Sequence, residues 1–89
     1  MVKKTTTIIN RLGLHARPAA LVVKLANSFP CDILLSKTGQ QANAKNIMEV
    51  LMLAATEGTQ LEVSAQGEKE EDALTALLAL INNKFNEVE

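Results

Sequence analysis

Gly13-Leu14-His15-Ala16-Arg17-Pro18-Ala19 is the stretch where the chain passes from strand-like to helix-like patterning, and it holds the only histidine. Imidazole exchanges protons, and reacts at a ring nitrogen, near neutral pH. Arg17 follows two residues later, and Pro18 sits where the first turn of a helix tolerates it. The stretch therefore predicts a histidine at a helix N-terminus. There the unpaired N–H groups of Ala16 and Arg17 would face an anion. Arg17 adds forked donors suited to phosphate oxygens. A neutral imidazole can attack a phosphoryl group with little further machinery. Spacing alone leaves an ordinary surface histidine equally tenable.

Upstream, residues 2–9 are rich in β-branched side chains and predict a strand; Asn10 to Gly13 break it. Downstream, a helix is expected from Ala16 to about Asn27, with Ala19, Val22, Val23 and Ala26 facing the core. Its neighbouring arc carries Ala20, Leu21 and Lys24 beside Arg17, which makes a small apolar patch with basic flanks. Pro30 ends this helix. Cys31 to Lys37 predict a second strand, Thr38-Gly39 a tight turn, and Gln40 to Asn43 a short edge strand.

Asn46 is placed to cap a second helix, with Glu49 compatible with a capping box. The run from Ile47 to Ala55 is apolar on nearly every side, and Gly58 predicts its stop. Val50, Leu53 and Ala54 group on one face; Ile47, Met48, Leu51 and Met52 group opposite. Periodicity allows either full burial or one exposed face. Methionines suit the latter because they repack at low cost. Leu61, Val63 and Ala65 then alternate with polar residues as a half-buried strand. Glu68, Glu70, Glu71 and Asp72 favour the start of a last helix, whose stripe is Leu74, Leu77, Leu78, Ile81 and Phe85. Asn86 to Glu89 are expected to fray. The order βαββαβα calls for an α+β fold, a mostly antiparallel sheet with helices on one face. With no linker and no repeat, residues 1–89 are expected to form a single domain.

Composition narrows function. A net charge of −1 and only two aromatic residues, Phe29 and Phe85, argue against nucleic acid as a partner. The single cysteine, Cys31, and single histidine argue against a metal centre, so no metal and no cofactor is expected. No nucleotide-binding glycine loop and no nucleophile elbow occurs. Lys3 and Lys4 lead into threonines rather than an apolar run, and no stretch is long enough to insert into a membrane. A cytoplasmic protein is expected.

The heptapeptide Gly13–Ala19 resembles the active-site signature of the HPr family, the histidine-containing phosphocarriers of the bacterial phosphoenolpyruvate-dependent phosphotransferase system. Asn46-Ile47-Met48-Glu49-Val50-Leu51 falls where that family has its second signature, so the likeness spans essentially the whole chain. The resemblance implies an open-faced β-sandwich with strand order 1-4-2-3 and three helices on one face of the sheet. It implies that His15 accepts a phosphoryl group on Nδ1 from phosphorylated Enzyme I and passes it to EIIA-type domains. Arg17 and the Ala16 backbone would hold the phosphate. Ala20, Leu21, Lys24, Ile47, Met48, Leu51 and Met52 would form the docking surface. Such a protein is a monomeric component of a relay rather than an independent catalyst. Two departures count. Asn46 stands where many members of one bacterial group carry a regulatory serine, so control by phosphorylation there is not expected. Glu49 makes the docking face less basic, in keeping with an alternative role in the nitrogen-related branch. An HPr-like regulatory docking module that acts through protein binding is the other alternative.

Overall fold

A computed structural model of the chain describes residues 1–86. The elements are β1 (Val2–Thr7), α1 (Ala16–Asn27), β2 (Asp32–Lys37), β3 (Gln40–Asn43), α2 (Ile47–Met52), β4 (Gln60–Gln66) and α3 (Glu70–Asn82), followed by a 3-10 turn at Lys84–Asn86. The four strands form one antiparallel sheet in the order β1-β4-β2-β3. Side chains alternate across a strand, so one face of the sheet collects Ile33, Leu35, Ala42, Leu61, Val63 and Ala65. Ala19, Val22 and Ala26 of α1, Val50 of α2, and Ala73, Leu77 and Ile81 of α3 close over that face. Val23 is only half-buried.

Strand β1 is shorter than its β-branched run. Beyond Thr7 the chain leaves the regular ladder but stays bonded to the segment before β4: the Ile8 N–H donates to the Thr59 carbonyl at 2.9 Å and the Gly58 N–H to the Ile8 carbonyl at 2.8 Å. Ile8 is fully buried by this arrangement.

Helix α2 is also shorter than its apolar run. Asn46 caps it as expected, its side chain accepting the Glu49 N–H at 3.1 Å. Glu49 does not complete the capping box. Its carboxylate accepts the Asn43 N–H at 2.9 Å instead, which ties the helix to the end of β3. The helix ends well before Gly58, because Ala54 turns into the left-handed region at φ 50°. Ala54 is consequently exposed, not core, while Val50 and Leu53 are buried.

The last helix begins at Glu70, whose carboxylate accepts the Gly67 N–H at 3.0 Å. That bond holds the Glu70 carboxyl below the ordinary range for its type. Leu77 and Ile81 are buried and Leu74 and Leu78 half-buried. Phe85 is buried too, but it reaches the core from the 3-10 turn at φ 55°, not from the helix stripe. Asn86 lies in that turn; the rest of the expected frayed end, residues 87–89, lies outside the described residues.

Candidate functional site

The loop before α1 is held from both sides. The Asn10 side chain donates to the Gly13 carbonyl at 2.7 Å, and the Leu14 N–H donates to the Ala55 carbonyl at 2.8 Å. Gly13 stands at φ 69°, where only glycine is unstrained, and a Cβ there would lie 2.5 Å from the Ala55 oxygen. Leu14 is buried and pins the chain to the core immediately before the histidine.

His15 occupies the N-cap position with extended backbone, and its carbonyl accepts the Ala19 N–H at 2.9 Å, closing the first turn. Its side chain does not cap the helix. The ring is therefore not committed to the helix end in the way a serine or asparagine would be. Pro18 is buried and contributes no N–H. The first-turn donors left over are those of Ala16 and Arg17, both exposed residues. They lie at the positive end of a helix of 12 residues.

Beside His15 is a shallow depression lined by Leu12, Leu14 and Ala16 on one side and by Leu51, Ala54, Ala55 and Thr56 on the other. It joins the start of α1 to the end of α2. Among the expected docking residues, Leu51 shares this hollow with the histidine. Ile47, Met48 and Met52 stand out from α2 and are exposed, Met48 at 63% and Met52 at 74%. Met52 borders a separate hollow with Gln40, Gln41, Glu49 and Leu53. Ala20 is exposed, whereas Leu21 and Lys24 line a groove that runs toward Leu80 of α3. The apolar surface is thus split, with α2 beside the histidine and Leu21 further along α1.

The sequence reading missed Leu12. It is 68% exposed in the loop and lines the depression with His15. A large apolar residue between Arg11 and Gly13, in a segment that builds no core, was the available signal. Among the described residues, no group of three or more His, Cys, Asp or Glu side chains could hold a metal ion. No helix among them is long and apolar enough to cross a membrane.

The fold and the site define a class: a small α+β protein that presents one histidine at a helix N-terminus, beside an apolar hollow. Comparison with known proteins makes this specific. The PTS-HPr family, described as "PTS HPr component phosphorylation site", matches residues 2–83. The chain belongs to that family, the HPr phosphocarriers of the phosphotransferase system. The phosphocarrier protein HPr of Cupriavidus necator is 47% identical over 89 residues, covering 100% of both chains. The phosphocarrier protein NPr of Escherichia coli K12 is 44% identical over 87 residues, covering 97% of each. Among solved structures, HPr-C-His from Thermoanaerobacter tengcongensis matches with a TM-score of 0.96 at 43% identity, covering 100% of both chains. An HPr dimer from the same organism matches with a TM-score of 0.79 at 44% identity, over 98% of this chain and 100% of that one.

Proposed function

We propose that His15 is the phosphoryl acceptor of a relay, loaded by phosphorylated Enzyme I and unloaded by EIIA-type domains. The observation that carries this reading is the N-cap placement of His15 with a ring that does not cap the helix. In the loading step the Nδ1 lone pair attacks phosphorus, and the bond from phosphorus to its donor breaks as the new N–P bond forms. Phosphoryl transfer depends mainly on positioning and charge stabilisation. The N–H groups of Ala16 and Arg17 and the Arg17 guanidinium supply donors for the equatorial oxygens. Pro18, lacking an N–H, costs the site nothing at a position where the helix requires none. The partner supplies the rest, so the chain works singly, as a monomer in the cytoplasm, with its histidine face open.

A coupled assay tests the relay. With phosphoenolpyruvate and Enzyme I the chain gains a phosphoryl group, and adding an EIIA-type domain removes it. A chain that never gains the group, or keeps it in the presence of the acceptor domain, contradicts the reading. The NPr relatives give weaker support to service in the nitrogen branch than the HPr relatives give to the general phosphocarrier role.

Ile47, Met48, Leu51, Met52 and the added Leu12 form the docking surface in this reading, with Ala20, Leu21 and Lys24 extending it along α1. Met48→Asp tests it. A carboxylate in the buried centre of an interface weakens partner binding about tenfold or more, some 1.4 kcal/mol. Because Met48 is exposed, folding stability should stay within about 0.5 kcal/mol of wild type. Titration calorimetry with Enzyme I and a thermal melt check both halves; a large loss of stability would make Met48 part of the core.

A further inference from the structure

Helix α2 ends against a side chain from across the fold. Lys37, the last residue of β2, donates from Nζ to the Leu53 carbonyl at 2.7 Å and reaches the Ala54 carbonyl at 3.4 Å. These carbonyls lie at a helix C-terminus, where they lack partners of their own and where positive charge is favoured. Ala54 itself stands at φ 50°, a left-handed conformation that costs an alanine roughly 1–2 kcal/mol. Something must hold it there, and the ammonium is in contact with its carbonyl. One residue on, the Ala55 carbonyl accepts the Leu14 N–H at 2.8 Å. The same oxygen lies where only a glycine fits at position 13. Three successive carbonyls, those of Leu53, Ala54 and Ala55, thus connect the Lys37 ammonium to the residue that directly precedes His15. Lys37 lines no part of the hollow that contains the histidine.

We propose that Lys37 is a positioning residue for His15. By fixing the end of α2 it fixes the turn against which Gly13 and Leu14 register, and through them the place of the imidazole. The proposal rests on the reading of His15 as phosphoryl acceptor. Without the ammonium, the Leu53 and Ala54 carbonyls turn to water and Ala54 relaxes out of the left-handed region. Ala55 then no longer meets the Leu14 N–H in a fixed place. The contact is a charge-assisted one between elements distant in sequence, so local helix preference cannot replace it.

Two variants of the full chain test this. Lys37→Met keeps most of the aliphatic stem and removes the donor; Lys37→Arg keeps charge and donors. Amide hydrogen exchange at Leu14, compared with Leu77 in α3, reports the relay without any phosphoryl chemistry. The rate of phosphoryl uptake at saturating phosphorylated Enzyme I, well below the melting midpoint, reports its consequence. For Lys37→Met we expect Leu14 exchange about tenfold faster with Leu77 unchanged, and uptake about tenfold slower, a fraction of the roughly hundredfold loss that an ångström of misplacement brings. Lys37→Arg should restore both. Unchanged Leu14 exchange overturns the proposal. So does exchange that rises equally at Leu14 and Leu77 with uptake intact, since Lys37 would then serve general stability alone. A wild-type chain that takes up no phosphoryl group defeats the reading of His15 instead, and leaves Leu14 exchange to decide the relay.

Discussion

Replacing Gly13 by alanine should lower the melting midpoint by about 15 °C, because two independent penalties fall on one methyl group. The first is conformational. At φ 69° an alanine adopts the left-handed region at a cost of about 1 kcal/mol relative to glycine. The second is steric. The new Cβ would lie 2.5 Å from the Ala55 oxygen and 2.8 Å from the Thr56 Cα, both backbone atoms that cannot rotate away as a side chain would. Overpacking of this kind costs roughly 1–3 kcal/mol even after relaxation. The relief available to the chain is to push the Gly13–Leu14 segment off Ala55, which breaks the Leu14 hydrogen bond and shifts His15. Phosphoryl uptake should therefore fall together with stability. Differential scanning calorimetry on Gly13→Ala gives the answer; a midpoint within about 3 °C of wild type would mean that the loop is not clamped on Ala55.

Arg17→Ala should do the opposite, leaving the fold intact and slowing phosphoryl uptake about a hundredfold, the scale on which removing a single preorganised donor acts. Arg17 is exposed and belongs to the first turn of α1. Removing its side chain uncovers no core, and alanine is the better helix former. The loss arises in the transfer step, where charge on the equatorial oxygens meets one cation fewer. Arg17→Lys should recover only part of it, since a lysine keeps the charge but not the planar fork. Single-turnover uptake from phosphorylated Enzyme I, with a thermal melt as control, separates these outcomes. Uptake by Arg17→Ala at the wild-type rate would remove the guanidinium from the mechanism.

The order of elements was legible because each carries its own period. The alternation from Gln60 to Gln66 matches β4 residue for residue, with Leu61, Val63 and Ala65 buried. The α1 boundaries follow from His15 and Pro18 at one end and Pro30 beyond the other. Where the reading fails, a contact from elsewhere in the fold decides. The apolar run after Asn46 gives no sign that its helix stops at Met52, because the stop is the left-handed Ala54, held by a lysine from β2. The Glu49 carboxylate accepts the Asn43 N–H rather than that of Asn46 because the β3–α2 corner brings the Asn43 N–H within its reach. Phe85 keeps the core contact its period foresees but reaches it from a different backbone conformation. For the candidate site, the placement of His15 and Arg17 at the start of α1 was legible from their setting in one heptapeptide. Leu12 showed only as an apolar residue in a loop, since its place beside the histidine depends on the α2 end folding back against it. Periodicity left open which face of α2 is exposed; the family resemblance turned Ile47, Met48, Leu51 and Met52 outward, and in the fold Ile47, Met48 and Met52 are exposed while Leu51 is half-buried.

Intact mass spectrometry after incubation with phosphoenolpyruvate and Enzyme I, on wild type and His15→Ala side by side, tests the central assignment most directly. The account predicts one phosphate-sized gain on the wild-type chain, lost on brief acid treatment as an N–P bond requires, and no gain on the variant. A wild-type chain that stays unmodified, or a His15→Ala chain that gains the same mass, would contradict it.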